Sequence, residues 1–120
     1  MRKLNNVLFT AALSVACMVC NATEKADYRV IPLPQEINFT QSEPFTLSKK
    51  TIIVYPKQNA LLKRNAEFLA EYIQKSTSYK LATEPAGKKA YTKAIVLSLD
   101  KTITSQEGYT LNVTSENITN

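Results

Sequence analysis

The protein is 120 residues long, a one-domain length, and its 44% hydrophobic and 21% charged residues are ordinary for a soluble globular chain. It has no histidine and only two glycines, which excludes Ser-His-Asp and Cys-His nucleophilic systems, histidine-based metal sites and a glycine-rich phosphate cradle. The net charge of +5 comes from scattered lysines rather than a basic stripe interleaved with aromatics, so no nucleic-acid partner is expected.

Arg2 and Lys3 precede an almost uninterrupted apolar run over 7–19, followed by Cys20-Asn21-Ala22. A basic start, a short apolar core and a small-x-small site define a secretory signal peptide, expected at 1–22. The run is shorter than the roughly 20 residues that a membrane span needs, so no transmembrane span is expected once the signal is removed. Cleavage after Ala22 removes Cys17 and Cys20 and lowers the net charge from +5 to +3. Lipoprotein processing at Cys17 is the competing reading, although Ser14 stands where such signals usually carry leucine. In neither case is there a disulfide framework to hold the fold, so 23–120 must be held by its core. The signal is bacterial in style. The expected location is the periplasm, outer membrane or cell surface of a Gram-negative bacterium.

Residues 23–27 read as a polar lead-in. Tyr28-Arg29-Val30-Ile31 is β-prone and is stopped by Pro32-Leu33-Pro34, which removes two amide donors and forces an extended path. Short strands are predicted over 36–39 and 44–47, around a polar turn at 40–43. Thr51-Ile52-Ile53-Val54-Tyr55 is apolar on both faces and predicts a central strand buried on both sides. The period then changes. Leu62, Ala66, Leu69 and Ile73 share one helical stripe, flanked by Leu61, Phe68 and Tyr72, which predicts an amphipathic helix over 59–76 with Asn59 as N-cap. Lys63 with Glu67, and Glu71 with Lys75, are spaced to pair along the opposite face.

Further strands are predicted over 79–84, 94–99 and 109–114, the last alternating so that one face is wet. A turn at Ser115-Glu116 leads into Asn117-Ile118-Thr119-Asn120, which starts like another strand. The pattern predicts a single α+β domain over 23–120, with a mainly antiparallel sheet of about five to seven strands and one long helix on one face. One helix is too little to cover such a sheet, and an unpaired terminal strand is a liability, so the sequence is expected to be the front part of something longer.

Paired carboxylates are the remaining route to hydrolysis. Glu67 and Glu71 share a charged helix face with lysines as neighbours, Asp100 and Glu107 bracket the polar loop 101–106, and Glu84 precedes Pro85 at a strand end. None adjoins an apolar pocket that the sequence identifies, so no residue is assigned as catalytic, cofactor-binding or metal-binding, and no cofactor is expected. Four Asn-x-Ser/Thr sequons, at Asn21, Asn38, Asn112 and Asn117, are read as chance in a chain rich in Asn and Thr. The strand tyrosines, Tyr28, Tyr55, Tyr79 and Tyr109, are read as packing rather than a sugar platform.

Taken in order, Val30-Ile31-Pro32-Leu33-Pro34-Gln35, Phe45-Thr46-Leu47, Thr51-Ile52-Ile53-Val54, the helix segment Asn65-Ala66-Glu67-Phe68-Leu69-Ala70-Glu71-Tyr72-Ile73, Ile95-Val96-Leu97-Ser98-Leu99 and Glu107-Gly108-Tyr109-Thr110-Leu111-Asn112-Val113 resemble the opening of family 20 glycoside hydrolases, the β-N-acetylhexosaminidases. The resemblance implies a small non-catalytic α+β domain that precedes a catalytic (β/α)8 barrel. It also implies that the full-length family removes terminal N-acetylhexosamine from glycans by a retaining mechanism. There the substrate's own acetamido oxygen attacks the anomeric carbon and an Asp-Glu pair on the barrel assists. These 120 residues contain no adjacent Asp-Glu pair and no barrel, so the chain itself is expected to be non-catalytic. Two alternatives stand beside this: a free-standing exported carbohydrate-binding or interaction module, and an accessory domain of another glycosidase family.

Overall fold

The structure is a computed structural model that describes residues 33–39 and 41–120. The expected signal peptide and the strand at 28–31 lie outside those residues. Contacts divide the chain into two units, Met1–Asn38 and Phe39–Asn120. In the described part of the first, the Asn38 carboxamide donates to the Glu36 carboxylate at 2.8 Å. Among the described residues, the regular structure lies in the second unit.

Its first strand, β1 (Ile52–Tyr55), is the apolar run expected to be central. Just ahead of it Ser48 and Thr51 bond reciprocally, the Thr51 amide to the Ser48 carbonyl and the Ser48 amide to the Thr51 hydroxyl, each at 3.0 Å. This satisfies the polar atoms of Thr51, which is almost fully buried. Helix α1 (Ala60–Thr77) follows. It begins where expected, because the Asn59 side chain accepts from the Leu62 amide at 3.0 Å, a cap contributing about 1 kcal/mol. It ends at Ser78, whose φ of 63° is left-handed and whose amide donates to the Gln74 carbonyl at 2.8 Å. The hydroxyls of Ser76 and Thr77 donate back to the carbonyls of Tyr72 and Ile73, at 3.1 and 2.7 Å, and close the last turn.

After α1 come β2 (Ala82–Pro85), β3 (Ala94–Val96), β4 (Asn112–Val113) and β5 (Asn117–Thr119). They form one five-stranded sheet in the order β2-β1-β3-β5-β4. The α+β class and the single long helix agree with the sequence reading. The sheet, however, is mixed rather than mainly antiparallel. β1 runs parallel to β2 and β3, and β3 parallel to β5, while only β4 and β5 are antiparallel. The physical reason is α1, which carries the chain back across the sheet and so delivers β2 in the same direction as β1. Among the described residues, 36–39 and 44–47 form no strand. The predicted 79–84, 94–99 and 109–114 strands shorten to Ala82–Pro85, Ala94–Val96 and Asn112–Val113.

The core lies between α1 and one face of the sheet. Ile53, Tyr55, Ala66, Leu81 and Ile95 form its buried centre, with Leu47, Leu62, Leu69, Ala70, Ile73, Tyr79, Leu97 and Ile118 packed around them. Alternation along β1 puts Ile53 and Tyr55 on the helix side and Val54 on the other, and all three are buried. That both faces of β1 are covered agrees with its reading as a central strand.

The segment before β3 is tied down by side chains as well as by backbone bonds. The Tyr91 hydroxyl accepts from the Gly87 amide at 2.6 Å, and the Lys89 ammonium sits 5.1 Å from the Tyr91 ring centre and 3.0 Å from Glu84. Lys93 is left-handed, with φ 55°, and its amide donates to the Glu116 carbonyl at 2.6 Å. The half-buried Asn117 carboxamide then bridges two strands: it accepts from the Ala94 amide at 3.2 Å and donates to the Tyr91 carbonyl at 2.6 Å. A short polar turn at Ser115 and Glu116 joins β4 to β5, as the sequence predicts, with the Thr114 amide donating to the Asn117 carbonyl at 2.9 Å.

Candidate functional site

The carboxylates weighed for chemistry lie apart, each with an ordinary role. Glu67 faces Lys63 at 3.9 Å on an exposed surface of α1. The spacing-based pair of Glu71 and Lys75 does not form; both are exposed and border a shallow surface hollow with Gln74. Exposed pairs of this kind gain little over hydration, so the side chains stay in water. Glu84 is held by Lys89, and its hydrogen bond and charge raise the Lys89 pKa. Asp100 accepts from the amide and hydroxyl of Thr102, at 2.8 and 2.6 Å, and these two bonds hold its carboxyl below the usual carboxylate value of 3.8. Glu107 is exposed in the loop ahead of β4. No group of three or more His, Cys, Asp or Glu gathers into a metal-binding arrangement among the described residues.

The described sequons differ in what surrounds them. Asn38 is exposed beside Glu36, Asn112 is exposed on the edge strand β4, and Asn117 has both ends of its carboxamide occupied within the sheet. The tyrosines divide too. Tyr55 is buried and Tyr79 half-buried against the core, whereas Tyr109 is 45% exposed.

What the structure does gather is apolar surface. Leu61, Phe68 and Tyr72, which the sequence places beside the buried stripe of α1, are 68%, 70% and 64% exposed. Their spacing of seven and then four residues makes them a second ridge along the helix, and that spacing was the signal for it. The ridge has a definite direction. Lys63 shares a hollow with Tyr55 and Pro85 at the ends of β1 and β2, so its flank of the helix overlooks β2. Steps of 100° per residue put Leu61, Phe68 and Tyr72 on the flank opposite Lys63, about 90–130° round from the buried stripe.

The close backbone approaches of α1 are to β1 and β2, while Ile95 of β3 is buried in the same core and Ile118 of β5 packs against it. The strand registers align Ile53 with Ile95, Ile95 with Ile118, and Ile118 with Val113. This row starts under the helix and runs out from it, ending at Val113, an exposed residue. Leu61, Phe68 and Tyr72 make one flank of α1 an exposed apolar ledge. Among the described residues no helix is long and apolar enough to cross a membrane.

Comparison with known proteins gives one family. Glycosyl hydrolase family 20, domain 2, matches residues 27–119. No curated protein matches the chain. The match takes in every strand and the helix, and it spans both the core and the ledge. A match over that much of the sequence places the chain in glycosyl hydrolase family 20, where it is the non-catalytic N-terminal domain 2.

Proposed function

We propose that this chain is the scaffold portion of an exported β-N-acetylhexosaminidase, and that its work is to seat against a catalytic (β/α)8 barrel belonging to the same full-length protein. The observation that carries the reading is the apolar ledge formed by the exposed Leu61, Phe68 and Tyr72 on α1. Water-exposed apolar side chains grouped in this way are a cost to an independent domain and an asset to one that is covered. Family membership supplies the kind of neighbour that covers it. The dispersal of the carboxylates, with Glu67, Glu84 and Asp100 each held by a neighbour, supports the other half of the reading, that bond cleavage belongs to the barrel.

In that arrangement the barrel removes terminal N-acetylhexosamine, with the substrate's acetamido group as nucleophile, and this domain contributes stability and placement rather than a reacting group. The basic start, apolar core and Cys20-Asn21-Ala22 support export through a signal peptide at 1–22, with the mature protein beginning at Thr23.

The test compares two purified proteins, residues 23–120 alone and the same residues extended through the downstream coding sequence, on an aryl N-acetylglucosaminide. Turnover is expected only from the extended protein. Turnover by 23–120, freed of host enzyme, refutes the scaffold role. Downstream sequence that encodes no barrel with an Asp-Glu pair refutes the partner, and retention of 23–120 on an N-acetylglucosamine column would then mark a binding module. Mass spectrometry of the exported protein reads its start: an unmodified Thr23 is expected, and a lipid-modified Cys17 would overturn soluble export.

A further inference from the structure

We draw no further inference here: the strongest candidate outside the ledge already described, the hollow at the N-terminus of α1 lined by Tyr55, Lys57, Asn59, Lys63 and Pro85, is a helix N-terminus at which the Asn59 side chain is already committed to the Leu62 amide and no second observation points to a ligand.

Discussion

Truncating Ile53 and Leu61 to alanine removes the same three carbons from two positions that the structure treats oppositely. Ile53 of β1 is fully buried in the core beneath α1, whereas Leu61 stands 68% exposed on the ledge. At about 0.8 kcal/mol per buried carbon, Ile53→Ala loses about 2.4 kcal/mol of transfer free energy, and the cavity left behind raises the cost to about 3–4 kcal/mol. For Leu61 only about a third of the side chain is out of water, so the transfer loss is about 0.8 kcal/mol. Alanine's better helix propensity returns about 0.2 kcal/mol of that. Urea unfolding of residues 23–120, followed by far-ultraviolet circular dichroism, measures both. With a slope of about 1–1.5 kcal/mol/M for a chain of this size, Ile53→Ala is expected to lower the midpoint by about 2–3 M, enough to unfold a marginal domain outright, and Leu61→Ala by about 0.5 M. Equal shifts would mean that α1 docks through the face assigned here to the ledge, and the argument from that ledge would fail with it.

Other positions test separate parts of the structure. Asn117→Ala strips the Ala94 amide and the Tyr91 carbonyl of their shared partner and is expected to cost about 1–3 kcal/mol, read as a lower urea midpoint with faster amide exchange at Ala94. Asn117→Asp is expected to cost at least as much above the carboxylate pKa, because it turns an oxygen on the Tyr91 carbonyl. Ser78→Gly relieves the left-handed backbone at the end of α1 and is expected to raise stability by about 0.5–1 kcal/mol in the same assay. Asp100 gives a pH dependence with a definite sign. Its folded-state pKa is depressed, so its contribution is present above 3.8 and is lost as pH falls through the lower folded-state value; Asp100→Asn is expected to remove that part of the acid sensitivity.

The parts of the fold that sequence made legible are those where one physical effect dominates. Ile52-Ile53-Val54-Tyr55 is apolar at every position, which leaves a doubly buried strand as its natural place, and β1 is central in the sheet. Asn59 and the 62-66-69-73 stripe defined α1 and its cap. Strand direction was harder, because alternation and β-propensity are blind to it. The available clue was order: a strand, an 18-residue helix and another strand make a crossover, and crossovers join parallel neighbours. The outer strands were overextended for a related reason. Tyr109 and Leu111 alternate as a strand should, yet both are exposed and only Asn112 and Val113 meet a partner. Among the candidate acids, Asp100 and Glu84 fell into the local roles their neighbours offered, but the Glu71–Lys75 spacing overstated an attraction that water dissolves. That Leu61, Phe68 and Tyr72 stay exposed depends on how α1 sits on the sheet, a long-range fact that no local spacing encodes.

The Asn117 bridge bears on how the sheet finds its alignment. Slide a strand one position past its neighbour and every side chain changes face, which normally drives a polar residue inward and penalises the slip. β1 lacks that protection, since sliding it merely exchanges Ile53 for Val54, one greasy side chain for another. The pairing of β3 with β5 carries a separate mark: a carboxamide with a donor and an acceptor, fitted to one amide and one carbonyl. Asn117 thus acts as a key for the β3–β5 frame, and a chain without it would keep its oily interior while losing the mark that sets that one pairing.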